Sequence, residues 1–588
     1  MTSGVVRPRF GPRPGKAGAT RFSLWAPGCD RLDLELADGT HHPMQAQGDG
    51  WFAIELDCAP GTAYRFRLPD GTAVPDPAAR AQQDGVHGFS LLPGPPRPWR
   101  TEDWRGRPWQ EAVILEVHAG ALGGFSGVAD CLAGWAELGI TAVELMPIAA
   151  FPGARNWGYD GVLPYAPASA YGTSDDLKAL VDRAHELGIM MMLDVVYNHF
   201  GPDGNYLGAY APAFFAAERS TPWGPSIAFE REEVFGFFLD NALYWLEEFR
   251  FDGLRLDAVH AILPDDALAR LGEAIRVALP LGRRVHLVLE NERNDAAVLP
   301  APFDAQWNDD IHHCLHVLLT GEAEAYYGDF ADAPAERLAR CLAEGFAYQG
   351  EEAPNLGHPR GTPSGHLPPT AFVAFVQNHD QIGNRAMGER LLALAPPQGV
   401  RAALALVLLA PQIPMLFMGE EMGARTPFLF FTDHGPELAD LVREGRRAEF
   451  SRFAAFADAE LRAAIPDPNA RETFAASIPQ PPEDADDWRR FVARLLAVRH
   501  AEIVPRLDGA SSLGAHALGT DAAPATAVIA RWRMGDGAVL TLAANLGVSP
   551  CPATLPQATL CIAYSGTLAD GAIPPFSTLA FLEPPGTP

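Results

Sequence analysis

From Ala112 to about Glu502 the sequence repeats one pattern: a short apolar run, a loop, then an amphipathic stretch of helical period. The apolar runs are Val113–Val117, Ala142–Met146, Met190–Val196, Gly253–Asp257, His286–Glu290, Ala305–Trp307, Phe372–Val376 and Met415–Met418. They are almost continuously apolar, as strands buried on both faces are. Helical patterns lie between them at Ser174–Leu187, Glu232–Phe249, Asp265–Ala278 and Val400–Leu409, with another at Asp486–His500. Parallel strands cannot be joined by tight turns and need crossovers, which helices fill. Eight such units in succession predict a closed (β/α)8 TIM barrel over 112–502, with a short inserted loop region at 200–231.

The flanks read differently. Residues 1–95 carry short alternating runs (Thr20–Trp25, Leu32–Leu36, Trp51–Leu56, Ala63–Leu68) punctuated by Gly, Asp and Pro, which predicts an N-terminal β-sandwich. Glucan binding and packing against the barrel are both open roles for it. The segment LPGPPRPWRTEDWRGRPW has no period of either kind, and its 96–111 portion reads as a linker. Beyond 503, runs at Ala527–Arg533, Val539–Ala544 and Ser577–Leu582 predict a C-terminal β-sandwich domain.

Charge narrows the partners. The 588 residues include 73 Asp and Glu against 45 Lys and Arg, a net charge of −28, so nucleic acid and anionic membrane are disfavoured. The N-terminal MTSGVVRPRFGPRPGKAGA is basic but lacks the apolar stretch of a signal peptide. Ala402–Met418 is apolar, but Pro411, Gln412 and Pro414 interrupt it as a buried helix followed by a strand would. The seven cysteines are odd in number and widely spaced, without a Cys-x-x-Cys. They read as reduced thiols, and the expected location is cytoplasmic.

In a barrel of this type the chemistry lies at the C-terminal ends of the strands. The third run ends in DVVYNH (Asp194–His199), the fourth in FDGLRLDAVH with Arg255, Asp257 and His260, the fifth in LENER with Glu290, and the seventh in FVQNHD with His379 and Asp380. Each has a plainer reading alone. A single Asp after a strand is often a helix cap, Arg255–Asp257 could be a structural ion pair, and the histidines could be satisfied loop residues. Their recurrence at one structural level predicts a common pocket. No cofactor is expected. The loop FGPDGNY (Phe200–Tyr206) is too poor in acidic positions for a calcium loop and the histidines lack zinc spacing, so no metal is expected either.

The four strand-end motifs, in this order and on these strands, resemble those of the α-amylase superfamily of retaining glycoside hydrolases. The resemblance implies Asp257 as nucleophile, Glu290 as general acid/base and Asp380 as transition-state stabiliser; Glu292, of the same strand parity as Glu290 but off the motif position, is the runner-up acid. It further implies that His199 and His379 bond sugar hydroxyls, that Tyr159 stacks under the reacting ring, and that Asp194, Asn198 and Arg255 support the pocket, with His260 beside them. Longer stretches (NWGYDGVLPYAP, TPWGPSIAF, WNDDIHHCLHVLLTGEAEAYYGDF and FFTDHGPELADLVREGRRAEF) resemble one subgroup, whose members release trehalose from a maltooligosyl chain ending in it. On that reading the substrate is maltooligosyl trehalose, an α-1,4-glucan, and a functional pairing with a maltooligosyltrehalose synthase is implied. Trp223, Tyr326 and Tyr327 are then candidates for the wall that holds the leaving trehalose, while WNDD also reads as a solvated turn. A glycogen branching or debranching enzyme is the nearest alternative. A non-catalytic glucan-binding protein is the other, and it would be expected to lack one of the three carboxylates.

Overall fold

The computed structural model describes residues 10–95, 97–452, 456, 458–520, 523–556, 561–563 and 571–586. Eight parallel strands close into a barrel in chain order. They are β1 (Ile114–Val117), β2 (Ala142–Leu145), β3 (Met190–Val195), β4 (Gly253–Leu256), β5 (His286–Leu289), β6 (Ala305–Trp307), β7 (Phe372–Phe375) and β8 (Ile413–Phe417). Each lies within two residues of its predicted run. In β4 and β5 the ladder stops one residue early, at Leu256 and Leu289. Asp257 and Glu290 are therefore the first residues beyond the strands.

Alternation along the strands sorts the barrel interior into two layers. Ile114, Ala142, Met190, Met192, Val288, Val373 and Met415 form an apolar cluster with Trp307 and Phe375. Two residues further on, the same inward-facing positions of β1 to β4 hold Glu116, Glu144, Asp194 and Arg255, all buried. Register makes neighbours of them: Glu116 lies opposite Glu144, and Asp194 opposite Arg255.

The outer helices form where the 3.6-residue period predicts them. They include Ser174–Glu186, opened by a Thr173–Asp176 capping box, Glu232–Glu247, Asp265–Ala278 and Pro397–Leu409. The last helix, Ala485–Val498, runs on into a wider turn at Arg499–Ile503. There the buried Arg499 guanidinium donates to the carbonyls of Leu408, Ala410 and Gln412, satisfying the end of helix Pro397–Leu409.

Sheets stand at both ends of the chain. Thr20–Trp25 and Trp51–Leu56 lie in a four-stranded sheet, and Asp33–Leu36 and Ala63–Arg67 in a five-stranded one. This unit touches the barrel side through Phe10, whose ring meets Phe237 edge-on at 5.1 Å, and through the amide of Gly28, which donates to the Tyr210 carbonyl. The C-terminal sheet orders Ser511–Thr520, Ala523–Arg533, Val539–Asn545, Ser577–Glu583 and Cys561–Ala563. Thr578 Oγ1 ties it to the barrel through the Ala402 carbonyl at 2.7 Å.

The inserted region and one strand depart from what the sequence pattern marks. The inserted region 200–231 is not a plain loop: it holds a helical turn, Leu207–Tyr210, and a hairpin of Phe215–Thr221 with Gly224–Ile227. Strand Ser511–Thr520 has no apolar run to announce it, because small and polar residues suffice at a half-exposed edge. Cys29, Cys58, Cys131, Cys314, Cys341 and Cys551 are free thiols, and the side chain of Cys561 lies outside the described residues, as does the backbone of residues 1–9. Among the described residues no helix is long and apolar enough to cross a membrane.

Candidate active site

A cleft of about 710 Å³ opens above the charged layer, at the C-terminal ends of the strands. Asp257, Glu290 and Asp380 all line it. Beneath them Arg255, with no exposed surface, organises the floor. Its Nη1 donates to Asp194 Oδ2 and to Asp257 Oδ1, each at 2.7 Å, and its Nη2 lies 3.7 Å from Glu290 Oε2. Its guanidinium stacks 4.2 Å from the Trp307 ring centroid, so one planar cation is fixed by both charge and π-face. Asn198 Nδ2 donates to the second oxygen of Asp257 at 2.8 Å. Asp257 is thus held at both oxygens.

Glu290 has a different surround. Ala258 adopts a left-handed backbone (φ 41°), which turns its amide toward Glu290 Oε2 at 2.6 Å. Burial dominates nonetheless. It lifts the Glu290 carboxyl to about 8, with Arg255 opposing and Asp257 adding to the rise. Asp380 goes the other way: burial would raise it, but His379 and Arg255 hold it below the ordinary carboxyl range. Two carboxyl groups in one cleft are thereby driven to opposite protonation states, the arrangement acid–base chemistry requires.

Asp380 sits in the short helix His379–Gly383, whose start is capped by Asn378. Asn378 Oδ1 accepts from the Asp380 amide at 2.9 Å, and Asn384 donates to Asp380 Oδ1 at 3.2 Å. Next to it His379 is held at both nitrogens. Nδ1 bonds Glu116, and Nε2 lies 2.9 Å from the Tyr159 hydroxyl, which donates to Asp194 Oδ2 at 2.7 Å. Hydrogen bonds therefore run unbroken from Glu116 through His379, Tyr159, Asp194 and Arg255 to Asp257.

The walls are aromatic. Tyr159, His199, His260, Trp223 and Tyr326 line the cleft. Trp223, at the turn of the inserted hairpin, stacks on His199 at 5.5 Å and lies 6.3 Å from the His260 ring. His199 offers its flat side, since Nδ1 meets Asn198 and Nε2 the Tyr159 carbonyl. Glu292 stands on the rim, 3.6 Å from His260 Nε2.

Other expected contacts are displaced. Tyr327 is not a wall residue: it is 5% exposed, stacked on His316 at 4.1 Å, and its hydroxyl meets His312 at 3.1 Å. Its neighbour Tyr326, 43% exposed, takes the wall position. His379, 1% exposed, lies just behind the lining, with Nδ1 on Glu116 and Nε2 toward the cleft-lining Tyr159 and Asp380. Asp194, Asn198 and Arg255 also stand behind the lining and support it without reaching its surface. The WNDD cluster is no solvated turn. Asp309 lines the cleft, and burial raises it to about 6. Asp310 is fully buried against Arg360 at 2.8 Å. Among the described residues no group of three or more His, Cys, Asp or Glu is gathered to hold a metal ion.

Known proteins resemble this chain over most of its length. Residues 73–211 match the alpha-amylase catalytic domain, and residues 515–578 match a domain of unknown function, DUF3459. A malto-oligosyltrehalose trehalohydrolase of Deinococcus radiodurans is 42% identical, covering 80% of this chain and 79% of its own. One from Saccharolobus solfataricus is 40% identical, covering 75% and 80%. The chain belongs to the malto-oligosyltrehalose trehalohydrolase family. The fold is shared with a candidate alpha amylase of Salmonella typhimurium, whose crystal structure superposes with a TM-score of 0.92 at 44% identity, covering 98% and 99% of the two chains.

Membership of this family leaves unexplained the residues that the motif reading passed over. Glu116 and Glu144 are such cases. Glu116 and Glu144 sit inside the apolar runs VILEV and AVEL, and a charged residue at an inward position of a barrel strand is the signal that could have found them.

Proposed function

We propose that the protein is a retaining glycosidase that cleaves the α-1,4 bond next to the terminal trehalose of maltooligosyl trehalose and releases trehalose. The single observation that carries the chemistry is the pairing of Asp257, held at both oxygens, with a Glu290 that burial keeps protonated across one shared guanidinium. In the first step Asp257 attacks the anomeric carbon while Glu290 gives its proton to the glycosidic oxygen. The bond to the trehalose oxygen breaks, trehalose departs with the proton, and the glucan is left as an ester of Asp257. Water then attacks the same carbon, Glu290 takes one of its protons, and the Asp257 carboxylate is released. Asp380 stabilises the positive charge that develops on the ring in both steps.

The names of the relatives supply the substrate, and the aromatic wall of Trp223, His260 and Tyr326 supplies a surface for a bent disaccharide. Sugar C–H faces pack on such rings. Work in trehalose formation beside a maltooligosyltrehalose synthase, in the cytoplasm, belongs to the same proposal. The test is to incubate the protein separately with maltoheptaose and with a maltooligosyl trehalose and to identify products. Faster release of free trehalose than of maltose is expected. Comparable kcat/KM on both would make it a general α-amylase, and new α-1,6 branches would make it a branching enzyme.

A further inference from the structure

We infer that Glu116 is a positioning residue, which clamps His379 and through it holds Asp380 and Tyr159 in place for the reaction. The inference rests on the glycosidase reading for its rate measurement only. Glu116 projects from β1 into the barrel and is 1% exposed. Both of its oxygens meet the same residue: Oε1 lies against His379 Nδ1, and Oε2 accepts from the His379 backbone amide at 3.1 Å. A carboxyl group that grips ring and backbone together fixes the side chain and the start of the helix carrying Asp380. The other nitrogen, Nε2, faces the Tyr159 hydroxyl at 2.9 Å and Asp380 Oδ1 at 3.4 Å.

The charged and titratable groups around this ring come from several elements. They are Glu116 and His118 on the β1 side, Glu144 on β2, Tyr159 in the loop after β2, and Asp380. Burial alone would make the imidazole neutral, but Asp380 and Glu116 override it and hold its pKa well above the usual histidine value. An imidazolium between them donates at both nitrogens, which keeps the tyrosine hydroxyl free to donate to Asp194. Glu144 is the contrast. It lies opposite Glu116 in register and is equally buried, but neither of its oxygens has a hydrogen-bond partner. Burial, with Asp194 and Glu116 nearby, holds its proton on. Of two adjacent glutamates, one grips the histidine and the other fills space.

The experiment compares Glu116→Gln with Glu144→Gln. Glu116→Gln should lower kcat about 100-fold with KM within about threefold, since misplacement of about an ångström at a reacting centre costs that much. Glu144→Gln should leave kcat within about threefold. In 15N-histidine-labelled protein the His379 ring, assigned through a His379→Gln variant, should remain an imidazolium well above the ordinary histidine range. It should titrate at least about one pH unit lower in Glu116→Gln. A neutral His379 in the unaltered protein at pH 7 would overturn the inference, even if Glu116→Gln failed to fold. So would an unshifted titration in a folded Glu116→Gln, a kcat within twofold, or an equal loss in Glu144→Gln. The ring measurement needs no substrate, so an error in the substrate assignment would leave it standing.

Discussion

The charged layer of the barrel and the rim of the cleft are built on opposite principles. In the layer, Arg255, Asp194 and His379 are fully or almost fully buried, and each is tied to protein groups at hydrogen-bond distance. At the rim, Trp223 and Tyr326 are nearly half exposed, and their rings lie against the histidine rings of His199 and His313. Apart from Glu144, which is protonated and without a hydrogen-bond partner among the described residues, the layer is tied throughout and carries charge; the rim is open and carries shape. On the proposed function, rate rests on the first and selectivity on the second.

The sharpest way to break this division is Asp257→Asn. The amide keeps the shape but cannot attack, so turnover should fall about 10³-fold or more while glucan binding survives. A variant within tenfold of the unaltered enzyme would leave the layer without its central role. Initial-rate kinetics and a binding isotherm decide it.

Glu290→Gln should cost a similar factor and also separates activity from stability. With Glu290 at about 8, kcat/KM should decline as pH rises past that value and the acid loses its proton. The folded chain holds this proton more tightly than the unfolded chain, where the ordinary value of 4.5 applies. The resulting stability is complete below that ordinary value and is lost as pH rises through about 8. Gln cannot lose it. The Tm of Glu290→Gln, relative to the unaltered protein, should therefore climb between about pH 4.5 and about pH 8 and level off above. A flat difference across that range would contradict the raised carboxyl.

Much of this was legible in the sequence, for physical reasons that also explain what was not. Strands buried on both faces leave continuous apolar runs, so β1 to β8 could be placed to within two residues. Asp257 and Glu290 follow directly on such runs and Asp380 comes four residues after one, where a charge stands out. Glu116 and Glu144 were hidden because each interrupts a run by one residue, and the flanking apolar residues dominate the pattern. Tyr326 and Tyr327 could not be told apart: in a short helical turn adjacent side chains diverge, and only the packing of Tyr327 on His316 shows which faces inward. The hairpin carrying Trp223 is placed by contacts with the His199 loop, which no local period encodes.

Smaller effects belong to the rim. Trp223→Ala removes a ring from an exposed turn and should change stability by no more than about 0.5 kcal/mol. It should lower the preference for trehalose-ended over plain chains by up to about tenfold, or ~1.4 kcal/mol, with little change in basal hydrolysis. An equal loss on both substrates would move Trp223 into the rate-setting part of the site. The least effect is expected from Tyr327→Phe, which keeps the stack on His316 and loses the bond to His312. About 1 kcal/mol of stability should go, with selectivity unchanged. A shift in product ratio would restore Tyr327 to the wall.

One feature of the barrel bears on how the protein comes into being. β1 pairs with β2 on one side and with β8 on the other, and Glu116 reaches a histidine 263 positions away. While the chain is being synthesised, β1 must wait with an open edge until Ile413–Phe417 leaves the ribosome, an interval in which unpaired strands can associate wrongly. Until then Glu116 has no histidine to hold and Asp257 has no cleft. No translation product that stops short of β8 can close the barrel or form the cleft, so the site assembles only after most of the chain has been made.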